Sequence, residues 1–263
     1  MMKTAFSTLF CTEFTVNEII SLARKVGIDG IELRVDDAML ENLLADENEQ
    51  KLLMESGIAV CDVASSIFVR GDGEIPVWRD YVKLAYKLGS PAVRVFAASN
   101  YEGVLDLNAI SDDLRRLCDI ADEYGIEIWL ENHSELSRGE TCGLMLDKVK
   151  RKNLRILWDV LHSIEYGESL SETLSYISDY VVHVHTKDGY YVSGQTEYKL
   201  CALGEGSFPF DELVKALKKI GFDGYLSLEW ESKWHPYLGD IYTDNCELLE
   251  AYKRILKKTE ALE

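Results

Sequence analysis

Short apolar runs alternate along the whole chain with longer stretches in which apolar positions recur every three or four residues. The short runs predict strands at Thr4–Leu9, Gly30–Arg34, Ala59–Ser65, Ala92–Ala97, Glu127–Asn132, Arg155–Asp159, Val181–Thr186 and Tyr225–Trp230. The stretches between them predict amphipathic helices. Thr15-Val16-Asn17-Glu18 and Ser169-Leu170-Ser171-Glu172 read as capping boxes, and Pro209 falls in a first turn. Gly27, Gly57, Gly89, Gly125 and Gly221 read as helix stops ahead of the next element. Two such junctions, Gly27-Ile28-Asp29-Gly30 and Gly221-Phe222-Asp223-Gly224, are near copies, the trace of a repeated βα unit.

Eight βα units with no Ser/Pro/Gly-rich linker predict a single (β/α)8 TIM barrel over residues 1–263 as one domain. An open dinucleotide-binding sheet would carry a glycine-rich turn after its first strand, where this chain has Leu9-Phe10-Cys11-Thr12-Glu13. Gly204-Glu205-Gly206 reads as a tight turn into the Pro209 helix. A mobile lid is expected over Asp188–Leu203, and Glu41–Gln50 reads as a solvated helix face.

Composition narrows the partners. The formal charge of −18 weighs against nucleic acid and anionic membranes, which need Lys and Arg on the contact face. At 47% apolar residues the chain can fill a sizeable core, yet no apolar run approaches the roughly 18 residues of a membrane span. The stretch before Thr12 is too short for a signal-peptide core, so a cytoplasmic protein is expected. Six cysteines without a Cys-x-x-Cys pair read as reduced structural thiols.

Barrel chemistry sits at the carboxyl ends of the strands. Four consecutive predicted strands finish with a metal-ligand type: Glu131, Asp159, His185 and Glu229, about one βα unit apart. Three carboxylates and an imidazole suit one divalent ion, Mn²⁺, Mg²⁺, Co²⁺ or Zn²⁺, and without a cation the clustered carboxylates would repel one another. His183 shares a face with His185; the latter lies nearer the strand end and is taken as the ligand, with His183 one layer lower. Glu32, Arg34, Arg70, Arg94, Lys187 and Lys233 end strands or open loops and are candidates to bind substrate, although Lys187 beside Asp188 also reads as a local ion pair. Trp230 and Trp234 are candidates to stack on a ring.

Gly30-Ile31-Glu32-Leu33, Glu131-Asn132-His133, Trp158-Asp159-Val160-Leu161-His162, His183-Val184-His185-Thr186-Lys187-Asp188, Leu203-Gly204-Glu205-Gly206 and Ser227-Leu228-Glu229-Trp230-Glu231 resemble the sugar phosphate isomerase/epimerase family of xylose isomerase-like TIM barrels. The resemblance implies one divalent metal on Glu131, Asp159, His185 and Glu229, with Glu131 and Glu229 as the catalytic acid/base pair. It also implies that His162 reaches a substrate oxygen. Family epimerases usually carry a substrate-binding glutamate six residues past the first ligand, where Ser137 stands here with Glu135 nearby.

The expected activity is isomerisation or epimerisation of a sugar, sugar phosphate or polyol-derived substrate through an ene-diolate; assembly into a homo-oligomer is left open. A dehydratase of the inosose or dehydroshikimate type would use the same site, and a sugar-binding barrel without catalysis would not need the full ligand set. An endonuclease IV-like nuclease needs a three-zinc site with histidines from earlier strands, and the five histidines here are His133, His162, His183, His185 and His235.

Overall fold

The computed structural model describes residues 2–74, 77–98, 105–191 and 198–260. Among the described residues ten strands form: β1 (Lys3–Ser7), β2 (Gly30–Arg34), β3 (Ala59–Val69), β4 (Ala92–Ala97), β5 (Glu127–Glu131), β6 (Leu154–Asp159), β7 (Val181–Thr186), β8 (Gly189–Tyr191), β9 (Tyr198–Leu200) and β10 (Tyr225–Leu228). Eight close into a parallel barrel in the order β1, β10, β7, β6, β5, β4, β3, β2, with helices between consecutive barrel strands. Such strands are covered on both faces, which explains their near-continuous apolar runs; Ile156, Leu157 and Trp158 in β6 are wholly buried.

The ends of elements differ from the sequence reading where local chemistry intervenes. β1 stops at Ser7 because Thr8–Cys11 turns into a 3-10 helix. β3 runs on to Val69, with a register shift against β4 between Ala64 and Phe68. β10 stops at Leu228, leaving Glu229 and Trp230 just beyond the strand. Both capping boxes form, at Thr15/Glu18 and Ser169/Glu172. Pro209 is the N-cap of helix Phe210–Lys219 and not a residue of its first turn. Gly27, Gly57, Gly89, Gly125 and Gly221 all take positive φ, the conformation that ends a helix without a Cβ penalty.

The charge run at Glu41–Gln50 is split between helices Asp37–Ala45 and Glu47–Glu55, with Asp46 capping the second; Gln50 turns inward and donates to the Leu43 carbonyl. β8 and β9 pair as a two-stranded antiparallel sheet within the stretch read as a lid, and residues 192–197 of that stretch lie outside the described residues. The last helix, Asn245–Glu260, is tied back to the first, since Lys253 Nζ donates to the carbonyls of Val26 and Gly27. Among the described residues all six cysteines are free thiols, and no helix is long and apolar enough to cross a membrane.

Candidate metal centre

β5 ends in Glu131, β6 ends in Asp159, β7 carries His185 one residue from its end, and Glu229 follows β10. These are four adjacent strands of the barrel, so the side chains converge. One ligand atom from each of the four lies within 4.8 Å of the others, all buried. Asn132 anchors the rim: its Nδ2 donates to the carbonyls of Ser137 and Asp159, and its Oδ1 accepts from the Asp159 backbone N–H. Asp159 Oδ1 caps the helix Val160–Glu165 through the Leu161 N–H at 2.9 Å, which leaves Oδ2 for the cluster.

His185 is used on both sides. Its Nε2 hydrogen-bonds to Glu32 Oε2, and its Nδ1 stands 3.4 Å from Glu229 Oε2, 3.9 Å from Asp159 Oδ2 and 4.0 Å from Glu131 Oε1. Glu131 Oε2 and His185 Nδ1 are buried without a hydrogen-bond partner. Such orphaned acceptors, in a hard three-carboxylate and one-imidazole set, fit a divalent cation with room for oxygen ligands. His183 lies deeper, its ring 5.3 Å from that of Trp129 and its Nε2 3.4 Å from Glu32 Oε2.

The charges around the cluster are graded. Lys187, 1% exposed, places Nζ 2.8 Å from Asp159 Oδ2 and 2.6 Å from Glu229 Oε2, and also pairs with Glu231 Oε1. Its sequence neighbour Asp188 is not its partner; that carboxylate accepts the backbone N–H groups of Gly189, Gly204, Gly206 and Phe208. Burial would raise Glu229, but the charges of Lys187 and His185 hold it well below the usual carboxylate range. Burial wins at Glu131, pushing it up to about 7 despite Arg94, whose Nε is 3.3 Å from Glu131 Oε2. His162, one-fifth exposed, resists the downward pull of burial because Asp159 and Glu165 flank it, and rises to about 9.

A cleft of about 130 Å³ opens over these groups, lined by Arg34, Arg94, Glu131, His133, His162, Glu229 and Glu231, with Leu9, Phe96 and Trp234 as its apolar wall. A larger groove of about 730 Å³ runs outside the barrel between helices Leu170–Ile177 and Phe210–Lys219, but among the described residues no convergent ligand set faces it.

The structure thus brings Glu131, Asp159, His185 and Glu229 together and places His162 and Arg94 on the cleft. Glu32 lies beneath the cluster and Lys187 beside it. Trp230 is buried against Tyr242, 5.5 Å away, and Lys233 is exposed with its ammonium 5.1 Å from the Trp234 ring, so neither lines the cleft. Arg70 lines a separate surface groove. Ser137 is buried and spends its hydroxyl on the Ser134 carbonyl, and Glu135 is exposed. Glu231, His133 and Phe96 line the cleft without having been singled out by residue type alone. Phe96 was within reach of period two, two residues beyond Arg94 on β4.

The family profile of the xylose isomerase-like TIM barrel matches residues 20–252. An uncharacterized protein of Methanocaldococcus jannaschii is 34% identical over 165 residues, 57% of this chain and 54% of its own length. The inosose isomerase of Bacillus subtilis is 27% identical over 125 residues, 45% of each chain, so the chain spans about half the length of these curated relatives. Among solved structures, the probable 3-DHS dehydratase AsbF of Bacillus anthracis superposes with a TM-score of 0.78 at 18% identity, covering 97% of this chain and 99% of that one. The D-allulose 3-epimerase of Methylomonas sp. in complex with D-allulose gives 0.77 at 20% identity, covering 98% and 97%. With its family profile matched over most of its length and its barrel closed, the chain belongs to the xylose isomerase-like TIM barrel family.

Proposed function

We propose that the protein is a divalent-metal-dependent isomerase or epimerase of a small sugar or polyol-derived hydroxy-carbonyl compound. The observation that carries the reading is the convergence of Glu131, Asp159, His185 and Glu229, with buried oxygen and nitrogen atoms that have no hydrogen-bond partner within the chain. Similarity to an inosose isomerase and to a sugar epimerase seen with its sugar supports it.

A divalent cation held by these four residues would supply Lewis-acid stabilisation of the negative charge that develops on substrate oxygens. The remaining work falls to the side chains. Glu131 and Glu229 reach the cleft from β5 and from the end of β10, with β6 and β7 between them. One carboxylate removes the proton from the carbon between hydroxyl and carbonyl, leaving an ene-diolate. The other returns a proton to the opposite face, which epimerises the centre; return to the neighbouring carbon interconverts aldose and ketose. General acid/base action of this kind contributes about 10²–10⁴-fold. His162, on the cleft beside Asp159 and Glu165, donates to a substrate oxygen. Leu9, Phe96 and Trp234 exclude water from the cleft wall.

A lyase reading shares the first step and then expels a β-hydroxyl. Likeness in fold to a probable 3-DHS dehydratase keeps this reading beside the isomerase one. Incubating metal-loaded protein in D₂O with ketoses, their phosphates and inososes separates the two by NMR. Deuterium at a carbon next to the carbonyl, lost in Glu131→Gln and Glu229→Gln, supports the isomerase; loss of water supports the lyase; no exchange with any compound counts against both.

A further inference from the structure

We propose that the substrate carries a carboxylate seated between Arg34 and Arg94, in addition to the hydroxy-carbonyl pair; this rests on the isomerase reading of the site. Arg34 on β2 is the register partner of Ala64 on β3, and Ala64 is the register partner of Arg94 on β4. Neighbouring strands lie about 4.8 Å apart, so the two arginine Cα atoms stand roughly 10 Å apart across one alanine. Both guanidinium side chains line the cleft. Ala64, wholly buried, stands between them on β3, so a larger side chain there would crowd the space between the two arginines.

Arg94 is 1% exposed, and its Nε and Nη1 are buried without a hydrogen-bond acceptor in the chain. A guanidinium has five N–H donors and no way to lose its charge, so a buried one with open donors demands an acceptor. Its position is braced: the guanidinium carbon sits 4.1 Å from the Phe96 ring centroid, and Nε is held near Glu131. Arg34 is fixed by Nη1 to the Ala64 carbonyl and Nη2 to Ser66 Oγ, with further N–H donors to spare. Burial and the like charge of Arg94 pull the Arg34 guanidinium down to about 10, which an anion between them would relieve.

A neutral ketose leaves the spare donors of both guanidinium groups without a charged acceptor, whereas a planar carboxylate supplies one and can meet a guanidinium bidentately. A phosphate fits less well. Barrel phosphate sites use loops after the seventh and eighth strands and backbone amides at a helix N-terminus, while these arginines sit on the opposite arc. The small cleft also favours the smaller anion.

The test is calorimetric titration of the metal-loaded protein with D-fructose, D-fructuronate and D-fructose 6-phosphate, which share the ketone and differ at the far carbon. D-Fructuronate is expected to bind at least about tenfold more tightly than D-fructose, as a charge-assisted bidentate pair implies. Arg94→Met and Arg34→Met should erase that preference at unchanged metal content, Arg94→Lys should keep part of it, and the surface change Arg79→Met should leave it intact. Ala64→Leu, which alters no charge, should also erase it, so a folding defect in one arginine variant does not decide the matter. Equal binding of the neutral sugar, tighter binding of the phosphate, or no binding of any of the three overturns the proposal. Deuterium exchange in the same samples reads the isomerase chemistry separately. Exchange without carboxylate preference overturns the seat alone, and carboxylate preference without exchange supports the seat while counting against isomerisation.

Discussion

His185 donates its Nε2–H to Glu32 and turns Nδ1 toward Glu131, Asp159 and Glu229. The carboxylate fixes which ring nitrogen carries the proton and therefore which one keeps a lone pair for a cation. Glu32 can do this because β2 places it inside the barrel, wholly buried and next to His183 as well. Its charge is held far below the usual carboxylate range: burial opposes ionisation, but His185 and His183 outweigh it.

Removing that acceptor should be felt at the metal and not at the substrate. Glu32→Met is expected to weaken metal binding about 10- to 100-fold, the usual cost of losing an outer-shell partner of a ligating histidine. Glu32→Gln, whose carbonyl can still accept the Nε2–H, should lose less. Competition against a chromogenic chelator measures both, and wild-type affinity in Glu32→Met would rule out this role.

Lys187 is the counter-charge of the metal-free cluster, within ion-pair reach of Asp159, Glu229 and Glu231. Deleting one member of a buried ion network leaves uncompensated charge, typically worth about 3–5 kcal/mol. Lys187→Met should therefore lower the stability of chelator-treated protein by that order. A divalent ion would restore part of it by binding only the folded state. Thermal melts with and without Mn²⁺ should show a wider gap in the variant than in the wild type; an equal gap would contradict the assignment.

The barrel and the rim positions of Glu131, Asp159, His185 and Glu229 were legible in the sequence because both follow from one periodicity. A strand covered on both faces is apolar through its middle, so the polar residue that closes the apolar run marks the rim, as at Glu131 and Asp159. What the rim residues touch was not legible. Lys187 and Asp188 are adjacent in sequence yet face different partners, because neighbours at a strand end diverge and Lys187 reaches across to Glu229 and Glu231. Trp230 read as a stacking candidate because the eighth barrel strand was extended two residues too far; with β10 ending at Leu228, its ring turns into the core against Tyr242. Glu32 looked like a rim carboxylate for want of any sequence signal that His185, 153 positions away, is its partner.

The pair His133 and His162 should titrate in opposite directions. Their rings stand 4.7 Å apart. Burial and the neighbouring His162 push His133 down to about 4, while His162 rises to about 9. Between pH 6.5 and 4 the unfolded chain protonates His133 and the fold does not, so this residue's contribution to stability is present above 6.5 and lost as pH falls toward 4. His162 is protonated in both states at the acid end of that window; its contribution is present below 6.5 and lost as pH rises through 9. Glu131, raised to about 7, slopes the opposite way to His133 between pH 4.5 and 7, so the comparison must be made against a variant. The difference in unfolding free energy between wild type and His133→Gln, in chelator, should fall as pH drops from 6.5 to 4. Imidazole proton NMR should place the two midpoints on either side of 6.5.

The turn that follows β7 depends on one carboxylate and one missing side chain. Asp188, 2% exposed, accepts the N–H of Gly204 at 2.7 Å, Gly189 at 2.8 Å, Phe208 at 3.2 Å and Gly206 at 3.3 Å. A Cβ on Gly206 would meet Asp188 Oδ1 at 2.1 Å and the Gly189 carbonyl at 2.4 Å, both too close for any relaxed packing. Gly206→Ala must therefore push the chain off the carboxylate, at a cost of about 1–3 kcal/mol typical of overpacking. Asp188→Ala removes a charged acceptor from several buried donors at once, each such bond being worth about 1.5–3 kcal/mol without strict additivity, so it should destabilise more than Gly206→Ala. Asp188→Asn keeps one acceptor oxygen and should fall between them. Urea unfolding monitored by tryptophan fluorescence would show this order as a graded loss of midpoint at unchanged slope. A Gly206→Ala midpoint equal to wild type would mean that the turn can open at no cost and that the Asp188 contacts do not hold it.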